Sequence, residues 1–343
     1  MSKWRNRIAE EEDIVVSSRV RLARNLQGHR FPGALDQDEA QIVEERIVRV
    51  IDTKFPGIYR HFRTEDLGED AKVLMENHLI SPELIQNRAF SSFCLSEDEN
   101  FNIMINEEDH IRMQALWPGM PGIELFEQAK GLMDSLEEEL DFSFHPEFGY
   151  LTSCPTNTGT GLRASVMLHL PSIKYSGLFP GLEDSLGKVG LIVRGLNGEG
   201  SMALGEMYQI SNQKTLGPSE RNSIIKLNRY VKHIVAKERE LRRSFLTHYR
   251  PMLEDQVSRS LGILKYAKLI SQEEAMACIS LLRVGISLGL LEKISLKRIT
   301  DLFFNVQKHN MIKYGQIKGL ELEENQLRSM YINEFFKEVD LDG

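Results

Sequence analysis

Ile14-Val15-Val16-Ser17-Ser18-Arg19-Val20-Arg21 is a β-prone run that ends in two arginines spaced two residues apart. Strand side chains alternate between faces, so Arg19 and Arg21 project from the same side of whatever sheet this run joins. Two guanidinium groups side by side need an anion. Three more arginines close apolar runs or turns: Arg112 follows Asn106-Glu107-Glu108-Asp109-His110, Arg163 ends the glycine turn after Cys154, and Arg194 ends Leu191-Ile192-Val193. Taken singly, each fits an ordinary surface ion pair. Taken together with the glycine-bearing turns at 159–163 and 194–200, which let backbone approach a ligand closely, they read as an electrostatic clamp for a polyphosphate.

Working outward from that run, short β-prone segments at 101–105, 150–153, 164–170, 189–193 and 207–210 alternate with a few helices, which predicts an α+β fold. Asp36 with Glu39 three residues on reads as a capping box, starting a helix that sets Val43, Ile47, Val50 and Ile51 on one face. A second helix is expected over 123–140. A third starts near Ser219, carries a solvated charged face through Lys237, Glu238, Arg239, Glu240, Arg242 and Arg243, and is expected to end at Pro251. Beyond Pro251 strand signals vanish, and Ser271 with Glu274 forms another capping box ahead of Ala275, Cys278, Ile279 and Leu282. The expected division is therefore a catalytic domain over 1–250 and an all-helical domain over 251–343. An apolar stripe through Leu281, Leu282, Ile286 and Leu290 is either core or a dimer interface.

A chain of 343 residues, 41% hydrophobic and 27% charged, is long enough for a real core and is neither a disordered nor a disulfide-stapled chain. Its net charge of −8 argues against built-in nucleic-acid affinity. Cys94, Cys154 and Cys278 lie far apart with no CxxC pairing, which fits a reducing compartment. The start of the sequence shows no secretory pattern and no stretch has the length of a membrane span, so a cytoplasmic protein is expected.

Two motifs are decoys. Gly181 to Val189 resembles a P-loop, but the spacing is one residue too long and Val189 stands where a magnesium-binding hydroxyl belongs. Gly159-Thr-Gly161-Leu-Arg-Ala164 satisfies a dinucleotide fingerprint literally, yet no βαβ alternation surrounds it.

Ser18-Arg-Val-Arg21, Asn106-Glu-Glu-Asp-His-Ile-Arg112, Cys154-Pro-Thr-Asn-Thr-Gly-Thr-Gly-Leu-Arg163 and Arg194-Gly-Leu-Asn-Gly-Glu199 closely resemble, in the same order, the motifs of the guanidino kinases. The resemblance covers about residues 13–250 and points to the bacterial branch that phosphorylates arginine in proteins. It implies an antiparallel sheet flanked by helices, with MgATP on one side and a guanidinium on the other. Carried over by motif, Arg19, Arg21, Arg112, Arg163 and Arg194 hold the phosphates, and His78, in Leu74-Met-Glu-Asn-His78, stands beside the nucleotide. Glu108 and Glu199 grip the substrate guanidinium, and Cys154 lies near the reacting nitrogen. Protein substrates such as a heat-shock repressor and misfolded chains, a zinc-binding activator, a Clp-type protease and a homodimer are the partners the resemblance implies.

The residue types suit that chemistry. A guanidinium has a pKa above roughly 12 and is a poor nucleophile, so it must be oriented and relieved of a proton. Paired carboxylates do both; Glu108 is assigned as the proton acceptor and Glu199 as the group that aligns the plane. Arginines then neutralise the transferring phosphoryl oxygens, and magnesium is held mostly by the phosphates, with no dedicated protein cage. Family members acting on free guanidino compounds carry a helical domain ahead of the SxRxR motif; here 18 residues precede Arg19, which leads us to expect a pocket open to polypeptide arginine. Asn197 and Thr158 depart from the small-molecule pattern and are compatible with the protein-directed branch. That branch also carries an RDxxRA phosphoarginine-binding motif, whose nearest match here, Glu324 to Ser329, lacks the first arginine and the aspartate. The alternatives are a kinase of a free guanidino compound and a silent adaptor that binds nucleotide or phosphoarginine; two carboxylates beside the arginines favour an enzyme over a mere anion binder.

Overall fold

The computed structural model describes residues 2–87, 89–195 and 203–341. The chain begins with β1 (Val15–Arg24), α1 (Gln37–Lys54), β2 (Tyr59–Arg63), α2 (Asp70–Glu76), α3 (Pro82–Gln86), β3 (Ser92–Ser96), β4 (Phe101–Ile105) and β5 (Ile111–Pro118). It continues through α4 (Glu124–Glu137), a short hairpin of β6 (Phe144–His145) and β7 (Gly149–Tyr150), then β8 (Leu162–His169), α5 (Pro171–Tyr175), α6 (Phe179–Lys188), β9 (Leu191–Gly195) and β10 (Met207–Asn212). Five helices complete it: α7 (Glu220–Tyr266), α8 (Gln272–Ser287), α9 (Leu296–Asn305), α10 (Lys308–Lys318) and α11 (Glu324–Leu341). Eight strands form one antiparallel sheet in the order β2-β3-β4-β5-β1-β8-β10-β9, with the arginine-bearing β1 near its centre.

The two faces of this sheet differ in chemistry because the strand period is two. One carries Leu22, Ile103, Met113, Ala164, Val166 and Ile210, buried against Val43 and Ile47 of α1, Phe126 and Ala129 of α4, and Leu227 and Val231 of α7. Each large apolar side chain so buried stabilises the fold by about 1.5–3 kcal/mol. The other face carries Arg19, Arg21, Arg112, Gln114, Arg163 and Gln209. At one end of that face Leu116, Met167 and Met207 disappear under the C-terminal helices, in a second core with Ile279, Leu282 and Phe303.

Capping follows the sequence: Asp36, Ser219 and Ser271 each accept a hydrogen bond from the backbone N–H three residues on. One expectation is refined and one is corrected. The helix starting at Ser219 breaks at Tyr249 (φ −132°, ψ 28°), just before Pro251, where the proline ring and the missing N–H displace the preceding turn, and a second helical segment continues across the kink to Tyr266. The run at 150–153 is not a strand beyond Tyr150: Asp109 takes the Ser153 N–H out of any ladder. The two decoys resolve as read, with 181–188 inside helix α6 and the 159–164 turn leading into strand β8 without a helix. Among the described residues no helix is long and apolar enough to cross a membrane.

Candidate active site

Arg19 and Arg21 do project from one face, and the sheet register brings the others to them. Arg21 stands directly opposite Arg163 on β8 and Gln114 on β5, and Arg19 lies opposite Ser165 and Leu116. Like charges facing each other across a ladder destabilise it, a cost that an anion between them would offset. Desolvation, then Arg112 and Arg163, push Arg19 down to about 10. Burial followed by Arg19, Arg112 and Arg163 drives Arg21 lower still, and its Nε has no hydrogen-bond partner. Arg19 donates to the neutral Gln209 (3.3 Å), and Gln209 is the cross-strand partner of Arg194 on β9. All five clamp arginines thus share one sheet face.

Arg163 and Arg194 line a cavity of about 220 Å³ with Thr156, Asn157, Gln213 and Thr215. Its floor is the 154–163 turn, fixed by Thr215 Oγ1 donating to the carbonyls of Thr156 (2.9 Å) and Thr158 (2.7 Å). Gly159 (φ +116°) permits this approach, since a Cβ there would meet the Thr215 carbonyl oxygen at 2.4 Å.

Glu108 sits at the tip of the β4–β5 hairpin, whose turn is held by the Asn106 N–H bonded to the His110 carbonyl. The hairpin tip and the 152–157 loop are docked together. Asp109 Oδ1 accepts from the Ser153 N–H (2.7 Å) and from Asn25 Nδ2 (2.6 Å), and Asn157 Nδ2 donates to Glu108 Oε2 (3.3 Å). This places the Glu108 carboxylate beside the cavity that Asn157 and Arg163 line, with about a third of its side chain exposed. Burial raises its pKa, offset in part by Arg112 and reinforced by Asp109 and Glu107. Cys154 is partly exposed in the same loop, its Sγ 3.0 Å from Thr156 Oγ1. Glu199 lies outside the described residues.

Glu107 was not singled out in the sequence. It is fully buried and holds Arg112 Nη1 through both carboxylate oxygens (2.8 and 2.9 Å). Burial opposes its charge, but Arg112 and Ser81 more than offset that and its pKa is lowered; Arg112, opposed by burial, is raised by Glu107. Arg112 is therefore the aligned member of the cluster, aimed by an internal anion. Gln114 and Gln209 were missed as well, and strand alternation from Arg112 is the signal that places Gln114 on the arginine face.

His78 closes the β5 side of this face. Its carbonyl accepts from Gln114 Nε2 (2.7 Å), its backbone is left-handed (φ +62°), and burial followed by Arg19, Arg5 and Arg21 lowers its pKa to about 3, so the ring is neutral. The arginine set, with Arg21 Nε unpartnered, has the charge to suit a polyphosphate. Among the described residues no group of three or more His, Cys, Asp or Glu side chains could hold a metal ion.

Residues 40–241 match the family described as ATP:guanido phosphotransferase, C-terminal catalytic domain. The chain belongs to this family. Residues 250–342 match the Protein-arginine kinase McsB C-terminal domain. Among relatives, the chain is similar to the protein-arginine kinase of Clostridium acetobutylicum, 39% identical over 338 residues that cover 97% of this chain and 99% of that protein. It is similar also to the protein-arginine kinase of Clostridium novyi, 40% identical over 345 residues, covering 99% and 100%. The crystal structure of lombricine kinase superposes on 69% of each chain with a TM-score of 0.59 at 27% identity. The protein is thus a guanidino-type phosphotransferase, and its antiparallel sheet flanked by helices is the fold of that family.

The degenerate 324–329 stretch has a structural use. Arg328 is fully buried, with Nε donating to the Val306 carbonyl (2.8 Å), Nη1 to the Ile270 carbonyl (3.1 Å) and Asn325 Oδ1 (2.8 Å), and Nη2 to Glu324. Its guanidinium ties helices together.

Proposed function

We propose that this chain transfers the γ-phosphate of ATP to the guanidinium of arginine residues in proteins. The observation that carries this reading is the placement of Glu108, an acceptor with raised pKa and partial exposure, against a cavity lined by two clamp arginines. The two clostridial protein-arginine kinases, similar over nearly their full length, support the protein-directed substrate class.

In this reading the triphosphate lies along Arg19, Arg21, Arg112, Arg163 and Arg194, whose charges draw electron density from the γ-phosphoryl oxygens as the bond to the β-phosphate oxygen breaks. A target guanidinium enters from the exposed side of Glu108. One of its nitrogens attacks the γ-phosphorus while the proton it loses passes to a Glu108 oxygen, leaving ADP and phosphoarginine. Glu199 aligns the guanidinium plane, Cys154 flanks the reacting nitrogen, and His78 borders the nucleotide. Magnesium, when bound with ATP, neutralises phosphate charge. We assign catalysis to residues 1–250 and a dimerising or regulatory role to 251–343. A heat-shock repressor and misfolded proteins are the proposed substrates in a cytoplasmic stress response, with a zinc-binding activator and a Clp-type protease as partners.

Incubation with radiolabelled ATP, a partly unfolded protein and, separately, free arginine tests the reading. Acid-labile label on the protein, abolished in a folded Glu108→Gln variant, is expected. Label on free arginine alone would replace the proposal with a small-molecule kinase, and no label in the unsubstituted protein would leave an adaptor.

A further inference from the structure

The turn that carries His78 is held by helices from the other end of the chain. Glu76 points both carboxylate oxygens at the start of α10. Its Oε1 accepts the His309 N–H (2.9 Å) and lies 2.8 Å from the His309 ring Nδ1, while Oε2 accepts the Asn310 N–H (2.9 Å) and Asn310 Nδ2 (3.0 Å). The Glu76 carbonyl accepts from Gln307 Nε2 (3.3 Å). Asn77 continues the contact: its amide donates to Asn310 Oδ1 (3.0 Å), its Oδ1 accepts from Arg5 Nη1 (3.1 Å), and its carbonyl accepts from the Trp4 indole (3.2 Å). Arg5 is itself tied to Asp301 of α9 (2.8 Å). The His78 ring then rests edge-on against Phe304 of α9, centroids 5.4 Å apart.

Two features make this more than ordinary packing. A left-handed backbone at a non-glycine residue costs free energy and persists only where the surroundings over-determine it, and here the two residues before His78 are held by α10 and the N-terminal segment while its ring meets Phe304 of α9. The opposite side of the same turn reaches the arginine face directly: the His78 carbonyl is bonded to Gln114, which stands across the ladder from Arg21. A displacement of α10 therefore moves His78 and Gln114 at the clamp, and through Ser81, whose hydroxyl donates to Glu107, it reaches Arg112 as well, while the 154–163 turn stands on the far side of β1.

We propose that Glu76 and Asn77 are positioning residues through which the C-terminal helices set the affinity of the arginine face for nucleotide. This rests on the reading that ATP occupies that face. The state of the helical region, whether altered by a partner or by a ligand, is read out as a change in nucleotide binding.

The test is ADP titration by calorimetry, with steady-state kinetics, on the full chain carrying Glu76→Gln, Asn77→Ala or, from the other element, Asn310→Ala. Losing hydrogen bonds of this kind predicts a rise of about fivefold to tenfold in the Kd for ADP and the KM for ATP. The kcat at saturating ATP should stay within about twofold, and the KM for protein substrate should be unchanged. Glu76→Gln combined with Asn310→Ala should be no worse than the stronger single variant, because both cut the same contact. Unchanged ADP affinity in folded Glu76→Gln and Asn310→Ala would overturn the proposal, as would equal changes in both KM values and kcat. Arg21→Ala separates the two layers. If it leaves ADP binding intact, the site reading fails; if it abolishes binding while the Glu76 and Asn310 variants bind normally, only the latch fails. Should Glu76→Gln not fold, Asn310→Ala and Gln307→Ala probe the contact from α10 and its cap.

Discussion

Buried arginines beside the C-terminal helices and the half-buried arginines of β1 have opposite surroundings. Beside the C-terminal helices each guanidinium has been given acceptors: Arg5 takes Asp301, Asn77 and Asn305, and Arg242 takes Glu238, Ser287, the Asp13 carbonyl and His169. On the central sheet face, Arg19 has only a neutral amide, and Arg21 faces another arginine. Arg5 and Arg242 are completed by the fold, as is Arg112 by Glu107; Arg19 and Arg21 are left for something that arrives from outside. Burial of a guanidinium therefore says nothing about its role until its acceptors are counted.

Removing a completed arginine should be the most damaging change. Arg242→Met strands the fully buried Glu238, which keeps only the Ser172 and Ile173 N–H groups, and should cost about 3–5 kcal/mol in urea unfolding. If the loss is under 1 kcal/mol, the contrast between the two groups fails on its structural side. Arg163→Ala should do the reverse, lowering turnover by on the order of a hundred to a thousandfold with the fold intact. Near wild-type turnover would break the functional side.

A third prediction extends the comparison to a buried base that can shed its charge. His110 is held neutral, with Nδ1 accepting the Leu26 N–H (3.0 Å) and Nε2 placed to donate to the Arg30 carbonyl (2.9 Å), and burial lowers its pKa from 6.5 to about 4. A folded-state pKa below the unfolded one means the unfolded chain binds the proton first. Its contribution is intact above pH 6.5 and is lost as pH falls from there towards 4, by at most about 3 kcal/mol. Thermal melts across that window should show the decline, and His110→Gln should flatten it. The smallest effect sharpens the clamp itself: Arg21→Met relieves like-charge repulsion and should raise ligand-free stability by about 0.5–1 kcal/mol while removing the stabilisation by ATP. A melting temperature that falls without ligand would place Arg21 among the completed arginines.

Much of the site was legible in the residues. Period-two alternation put Arg19 and Arg21 on one face, serine and aspartate caps marked helix starts, and glycines marked the turn that cradles the cavity. What escaped depended on distance in the chain. The Glu107 pairing with Arg112 sits inside a motif where three acidic residues in a row look equivalent, and only the hairpin geometry separates the buried Glu107 and Asp109 from the half-buried Glu108. Strands β2 and β3 are five residues each, with Ser92, Ser96, Arg60 and Arg63 diluting the apolar pattern. The contact between Arg5 and Asp301 spans 296 positions, beyond any periodic signal. Proline at 251 marked the break at Tyr249, but a local rule has no knowledge of the second core that restarts the helix beyond it.

That helix has a practical consequence. Helix α7 is a strut of two segments meeting at the Tyr249 kink, the first rooted in one core and the second in the other. Cutting the gene after Pro251 to obtain a minimal catalyst would saw through this strut and strip the cover from Leu116, Met167 and Met207. A shortened version would need those three positions made polar before it could stay in solution.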